Sequence, residues 1–197
     1  MHLIFDIFRG IGAASAIGIR PFLPALVVCA LAVGGVAIHF NHIGFFGFLQ
    51  QDWFLLVLVV CAILLSVAER RLGGARLGSK PGLAALAVAS AALGALLFAG
   101  LLRQGGYAAW PGLVGGVICA LVGTLATRPL FERVRRRLDA SAANALPLFG
   151  ESGGVALAAL SMVAPPVGVL GFVALLWLLA GSRRRASRKY AGLRILR

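Results

Sequence analysis

Residues 81–102 read PGLAALAVASAALGALLFAGLL, a stretch without a single charged side chain. A helix needs about 20 apolar residues to cross the hydrocarbon core of a bilayer, so this stretch is long enough to span a membrane. Working outward along the chain, further charge-poor stretches occur at residues 10–38, 53–68, 107–127 and 153–181. The sequence therefore predicts an all-α membrane protein, a polytopic helical bundle with about five apolar segments.

The composition supports a membrane protein rather than a soluble one. Hydrophobic residues make up 60% of the 197 residues and charged residues only 13%, whereas charged residues are about a quarter of a soluble domain. Mean hydropathy is +0.97. The longest polar piece between apolar stretches runs only from Arg128 to Ser152, which is too short for a separate soluble domain. We expect one transmembrane domain over residues 1–182 and a basic tail over residues 183–197.

The charge distribution indicates how the chain is oriented. The formal net charge is +13, and the basic residues concentrate at residues 70–80, 128–137 and 183–197. Because Lys and Arg accumulate in cytoplasmic loops, these three regions are predicted to be cytoplasmic, and the loop at 39–52 periplasmic. This pattern is typical of a multi-pass bacterial inner-membrane protein with a cytoplasmic C-terminus. A nucleic-acid partner is not expected, since few aromatic residues are interleaved with the basic ones.

The last apolar stretch creates a conflict in this topology. Five simple spans from a cytoplasmic N-terminus would place the basic tail outside the cell. Ala164-Pro165-Pro166 lies in the middle of the stretch, so one solution makes residues 153–181 a re-entrant hairpin that turns at the prolines. A second puts the N-terminus outside but leaves two basic loops on the wrong side, and a third breaks the first segment into a hairpin. We favour four spans followed by the C-terminal hairpin.

Small residues recur at a spacing of four in three of the apolar segments. That spacing places them on one face of a helix, where they let a neighbouring helix approach closely. The stripes are Gly10, Ala14 and Gly18; Ala87, Ala91, Ala95 and Ala99; and Gly112, Gly116, Ala120 and Thr124. The first two stripes are predicted to lie inside the bundle, whereas the bulky segment 53–68 is predicted to face lipid.

Arg20 is the principal candidate for a functional site. Two prolines in Arg20-Pro21-Phe22-Leu23-Pro24 make a straight helix improbable, and a charge at membrane depth usually faces a polar cavity or a partner. Broken helices expose free backbone groups, with which transporters bind anions or ions. The predicted substrate-binding residues are Arg20, Pro21, Pro24, Glu69 and Arg128, the last of which belongs to a second Arg-Pro pair.

Simpler interpretations of these residues stay open. Arg20 could snorkel to lipid phosphates, or pair with an acid such as Asp6 or Glu69. Glu151, the only acid near the proline-broken last stretch, could face the same cavity as Arg20 or solvate a loop. We favour the loop for Glu151.

No pattern in the sequence indicates enzymatic chemistry. The chain contains no GxSxG, P-loop or HExxH motif and no carboxylate pair at catalytic spacing. Cys29, Cys61 and Cys119 each lie inside an apolar stretch and show no CxxC spacing, which argues against a zinc site. We therefore expect no enzyme activity, no metal and no cofactor.

Three stretches resemble a known family. They are Gly18-Ile19-Arg20-Pro21-Phe22-Leu23-Pro24, Glu69 at the end of the second segment, and Lys189-Tyr190-Ala191-Gly192-Leu193-Arg194 in the tail. On these residues the chain is similar, over nearly its whole length, to the bacterial membrane family catalogued as domain of unknown function 4126. Members follow the glutamate with an acidic, proline-bearing loop, whereas Glu69 here precedes Arg70 and Arg71. The resemblance implies a bacterial membrane fold and no agreed activity.

Two hypotheses for function follow from these features. A small inner-membrane transporter or lipid flippase would use Arg20, a permanent cation near free backbone donors, to recognise an anionic group such as phosphate. The alternative is a non-catalytic scaffold or assembly protein that binds partner helices and anionic lipid. A transporter requires a polar cavity that reaches Arg20, and a scaffold does not.

The expected partners are membrane lipids, anionic lipids above all, and a homo-oligomer is conceivable. Cations near an anionic leaflet are attracted to its headgroups, so the basic tail is predicted to lie along them. The residues expected at lipid headgroups are Arg183, Arg184, Arg185, Arg188 and Lys189.

Overall fold

The computed structural model describes residues 2–35, 44–77, 80–135 and 140–191. Within these residues the chain is helical, with no β-strand, which confirms the all-α fold. A short 3-10 helix, Gly44–Gln50, precedes α3. The helices are α1 His2–Ile19, α2 Phe22–Val33, α3 Asp52–Leu77, α4 Lys80–Gln104, α5 Trp110–Arg135, α6 Ala140–Val163 and α7 Pro165–Ala191.

Several helices are long and apolar enough to cross a membrane. Within the described ranges there are four such helices, or five when the 3-10 helix and α3, bent by 54°, are taken as one span. The four are Gly82–Gln104, Trp110–Val134, Ala145–Val163 and Pro165–Arg183. Large apolar side chains point outward from the bundle, such as Leu170 at 68% exposure and Trp177 at 77%. Such a surface suits lipid rather than water, so the fold fits a multi-pass membrane protein.

The first apolar segment forms a helical hairpin. The final hydrogen bond of α1 joins the Arg20 amide to the Ala16 carbonyl at 3.3 Å, and the chain then turns at Arg20-Pro21. Pro21 is the N-cap of α2, and Pro24 lies in the first turn, where a missing N–H leaves no internal hydrogen bond unmade. The prolines therefore end one helix and begin the next.

Contacts at both ends of the hairpin show that the chain reverses direction. A Cβ at Gly105, just after α4, would lie 2.5 Å from Asp6 Oδ2, so α1 begins where α4 ends. Gln50 Nε2 donates to the Ala32 carbonyl at 2.5 Å, which ties the end of α2 to the start of α3. We call the end of the bundle that holds Trp53, Tyr107 and Trp110 the aromatic end. The start of α1 and the end of α2 both lie at the aromatic end.

Helix α1 is the centre of the bundle. Residues 12–18 are buried on all sides, and the helix packs against α4, α5, α6 and α7. Glycine permits this approach: a Cβ at Gly18 would lie 2.3 Å from the Ala120 carbonyl oxygen, and one at Gly12 would lie 2.6 Å from the Cα of Gly168. The predicted close packing of the first stripe is confirmed.

The other two stripes pack α4 against α5. A Cβ at Gly116 would lie 2.4 Å from the Gly94 carbonyl oxygen, and one at Gly112 would lie 2.7 Å from the Cα of Ala99. By contrast, α3 exposes large apolar side chains between Trp53 and Val67, as predicted for a lipid-facing segment. They are Trp53, Leu56, Val57, Val59, Val60, Ile63, Leu64 and Val67.

Helix lengths favour two spans over the predicted re-entrant hairpin at residues 153–181. The chain does turn at the prolines, since a Cβ at Gly171 would lie 2.4 Å from Leu157 Cδ1. However, each arm is a full helix, α6 or α7, with an apolar span of 19 residues. The arms are long because α6 begins at Ala140, well before Gly153. Alanine-rich sequence at its start favours the helix, and the turn itself is confined to Ala164.

The predicted loops are also shorter than expected. Helix α3 continues past Glu69 to Leu77, and α5 continues through Pro129 to Arg135. Most of the predicted loop at 70–80 and of the polar piece at 128–152 is therefore helical, and residues 78–79 and 136–139 lie outside the described residues. Basic side chains do not stop a helix, because Lys and Arg are good helix formers.

A hairpin of α1 and α2 that does not cross the membrane would remove the conflict in topology. Short connections make α3 to α7 successively antiparallel, so α3, α5 and α7 all end at the side opposite the aromatic end. We call that side the basic end, since residues 70–77 and 128–135 and the start of the tail at Arg183 lie there. The α1–α2 hairpin corresponds to the third of the solutions considered, in which the first segment forms a hairpin, and not to the favoured one.

Candidate functional site at the tip of the hairpin

Arg20 lies at the tip of the α1–α2 hairpin, beside two other helices. It lines a depression together with Pro21, Leu65 of α3 and Glu151 of α6. The Arg20 side chain is half-buried, as is Glu151. The hairpin thus brings a guanidinium and a carboxylate, which are 131 positions apart in the sequence, to one place.

The depression lies near the middle of the apolar spans. Ala62, another residue of its wall, follows the start of α3 by ten positions, and Glu151 precedes the end of α6 by twelve. At 1.5 Å per residue both lie roughly 15 to 18 Å from the aromatic end. Arg20 itself lies roughly 21 Å along α1 from Asp6, which is at the same end. These distances fall within the thickness of a bilayer core, which is about 30 Å.

The depression is small. Its cavity volume is about 10 Å³, which is about enough for one water molecule. In this conformation the site therefore has the chemistry to bind an anion but not the room for a headgroup. Guanidinium binds phosphate and carboxylate through paired charge-assisted hydrogen bonds.

Searches of protein-family models, of curated proteins and of solved structures find no match for this chain. The similarity to domain of unknown function 4126 therefore stays a prediction. Function has to be argued from the geometry.

The other predicted substrate-binding residues do not all reach this depression. Pro24 is buried against Gly154, where an added Cβ would lie 3.0 Å from the proline ring. The Arg128 guanidinium donates to the Leu83 carbonyl at 2.5 Å, in the first turn of α4. Arg128 thus fastens α5 to α4 near the basic end. The side chain of Glu69 lies outside the described residues.

Asp6 is not the partner of Arg20. Its Oδ1 lies 3.7 Å from Arg9 Nη1, and fourteen positions along α1, roughly 21 Å, separate it from Arg20. Arg9 also donates from Nε to the Met162 carbonyl at 3.2 Å. That carbonyl would accept from residue 166 in a continuous helix, but Pro166 has no N–H to donate.

Sequence reasoning missed two polar contacts that hold the site. Thr124 Oγ1 donates to the Gly18 carbonyl at 2.9 Å, two residues before Arg20. Arg9 holds the α6–α7 turn against α1. The Pro165-Pro166 pair indicated that a backbone carbonyl in the preceding turn would lack its helical donor. Nothing in the sequence indicated that Arg9 would donate to it.

The basic tail begins inside a helix. Helix α7 continues to Ala191, so the predicted boundary at residue 183 does not interrupt it. Arg183 is exposed. The other predicted headgroup side chains, Arg184, Arg185, Arg188 and Lys189, lie outside the side chains that the structure describes, as do residues 192–197.

Proposed function

We propose that this protein is a small carrier in the bacterial inner membrane that passes the anionic headgroup of a lipid across the bilayer. One observation carries the proposal: Arg20 and Glu151 line a depression at the tip of the α1–α2 hairpin, level with the apolar parts of α3 and α6. A charged side chain within an apolar span is costly and rare, and it usually marks a functional site. The basic end is proposed to face the cytoplasm, because Lys and Arg accumulate there.

A lipid suits the position of the depression better than a soluble ion. The walls include Leu65 and Ala62 of α3, the helix whose exposed side chains from Trp53 to Val67 are large and apolar. A lipid could therefore keep its acyl chains in the bilayer while its phosphate contacts Arg20. The nearby Glu151 carboxylate opposes a second negative charge, which favours a singly charged phosphodiester.

Helix α3 is the element that can make room for a headgroup. It packs mainly against α2 and the 3-10 helix and meets α4 only at its margin. The hairpin arm α1, by contrast, is fixed by glycine contacts on several sides. We propose that α3 moves away from the hairpin tip and so opens the depression towards lipid.

The test is lipid translocation in liposomes that contain the purified full-length protein. A headgroup-labelled fluorescent phospholipid in both leaflets is bleached from outside with dithionite, and the fluorescence lost beyond the outer leaflet reports translocation. We expect Arg20→Gln to lower the rate to that of protein-free liposomes, because the neutral amide cannot replace a bidentate cation. Arg103→Gln, an exposed arginine at the aromatic end, is the matched control and should keep the wild-type rate.

A wild-type rate for Arg20→Gln would contradict the assignment of Arg20. If liposomes with the wild-type protein translocate lipid no faster than empty liposomes, the proposed carrier function is contradicted. The small size of the depression favours the scaffold as the second candidate, in which the apolar face of α3 binds partner helices. Under that alternative the protein is expected to move no lipid, and a cross-linker placed on α3 in cells should capture another membrane protein.

A further inference from the structure

We propose that a groove between α5 and α7 at the basic end binds an anionic phospholipid. Its walls include Leu130 and Arg133 of α5 and Trp177, Leu178, Gly181 and Ser182 of α7, and it encloses about 250 Å³. This α5/α7 groove is separate from the depression at Arg20 and shares no residue with it. The inference stands whether or not the protein moves lipid.

The polarity of the groove changes along its length as the polarity of a lipid does. Both helices run towards the basic end, so Leu130 and Trp177 lie deeper in the apolar span than Arg133 and Ser182. An acyl chain fits the deep part, where Trp177 is 77% exposed. At the mouth Gly181 leaves open space, since an added Cβ would meet no atom within 4 Å.

Arg133 supplies the charge that selects the headgroup. Among the described residues no carbonyl or carboxylate accepts a hydrogen bond from its guanidinium, in contrast to Arg9 and Arg128. A phosphate at the mouth of the groove would accept from its donors, since arginine forms strong paired hydrogen bonds with phosphate. Exposed Arg183 adds a second cation at the mouth.

Ser182 completes the polar end of the groove. Its hydroxyl donates to the Leu179 carbonyl at 2.7 Å, so its oxygen remains an acceptor. A hydroxyl on the headgroup, such as that of phosphatidylglycerol, can donate to it. The occupant that fits is thus a singly charged glycerophospholipid with a hydroxyl-bearing headgroup, rather than free phosphate, which would leave the apolar walls unused.

Trp177 can report on this site by fluorescence. Trp53→Phe and Trp110→Phe, both at the aromatic end, leave it the only tryptophan among the 197 residues. The protein is placed in phosphatidylcholine bilayers that contain a small fraction of phosphatidylglycerol with brominated acyl chains, which quench tryptophan on contact. We expect quenching well above that of random mixing, because the groove enriches the anionic lipid.

Two variants test the two halves of the groove. Arg133→Gln should weaken the association of brominated phosphatidylglycerol about tenfold, through loss of a charge-assisted bond. Gly181→Leu, which fills the open mouth, should reduce enrichment without removing a charge. Arg103→Gln at the opposite end is the control and should behave as wild type, and the basic tail is the same in all four proteins.

Equal quenching by brominated phosphatidylcholine and phosphatidylglycerol would overturn the proposal. So would enrichment that survives both Arg133→Gln and Gly181→Leu, which would assign the attraction to the tail. Competition by inorganic phosphate at the same strength as by phosphatidylglycerol would show a phosphate site rather than a lipid site, and would overturn it as well.

Discussion

Glycine residues set how closely the helices approach around α1. A methyl group at Gly18 would lie 2.3 Å from the Ala120 carbonyl oxygen and 2.9 Å from the Cα of Gly123, both backbone atoms that cannot rotate aside. We therefore expect Gly18→Ala to cost about 1–3 kcal/mol of unfolding free energy, the usual range for overpacking. The measurement is unfolding of the purified protein in detergent, followed by circular dichroism.

Gly153→Ala is the matched control for this substitution. It changes a helical glycine whose added Cβ would meet no atom within 4 Å. Alanine is the better helix former, so the control should be neutral or gain up to about 1 kcal/mol. Equal effects at the two positions would show that the close crossing of α1 and α5 does not stabilise the fold.

Arginine chemistry shows where prediction from single residues fails. Arg20 and Arg128 each precede a proline and end a stripe of small residues. The local sequence pattern therefore does not distinguish them. In the structure Arg128 donates to a backbone carbonyl, whereas Arg20 lines a depression with a carboxylate. Which atoms surround a guanidinium depends on helices distant in the sequence, and no local pattern records them.

The two Arg-Pro pairs also differ in what they do to their helices. At Arg20-Pro21 a second proline follows at Pro24 and the chain reverses. At Arg128-Pro129 the helix continues to Arg135. A single proline frees one carbonyl and is tolerated in membrane helices, and here the side chain of Arg128 ties the helix to α4 on the same turn.

Helix α3 is the element whose movement the proposed function requires. Phe22 at the hairpin tip and Leu65 of α3 line the same depression, so a short bis-maleimide can bridge cysteines placed at the two positions once Cys29, Cys61 and Cys119 are replaced by serine. We expect this bridge to stop lipid translocation, because α3 can no longer leave the tip. The measurement is the dithionite assay before and after cross-linking.

Each single-cysteine variant treated with the same reagent is the control for that experiment. Both should keep their translocation rate, since one attached arm leaves α3 free. Translocation that continues at the full rate through the bridged protein would exclude α3 as the moving element. Loss of activity in a singly labelled control would instead show that the reagent blocks the depression itself.

For the whole molecule, hydropathy predicted the class of fold and the segments, but not which segment turns back. Five apolar stretches and three basic clusters favoured one segment that turns back, and prolines marked two candidates. The deciding fact is length: Ala140–Ser152 extends α6 to full span, whereas α2 has only 12 residues. Composition did not predict this early start of α6, because residues 140–152 are polar enough to be interpreted as a loop.

The arrangement of the whole bundle predicts which ends face which side of the membrane. With the hairpin open at the aromatic end, residue 3 lies on the same side as Asp52, and Glu132 lies on the other. The favoured arrangement from sequence, four spans and a C-terminal hairpin, instead puts residue 3 with Glu132. Labelling of Leu3→Cys therefore distinguishes the two arrangements, since Leu3 is 38% exposed and can react.

In a chain with its native cysteines replaced, we expect an impermeant maleimide to label Leu3→Cys in intact cells. Asp52→Cys should be labelled as well, and Glu132→Cys only after permeabilisation, because the positive residues around it hold that end in the cytoplasm. Asp52 and Glu132 are exposed and report the same sides in both arrangements, so they calibrate the assay. If Leu3→Cys reacts only in permeabilised cells while Asp52→Cys reacts in intact ones, α1 enters from the cytoplasm and the hairpin at Arg20 cannot be re-entrant.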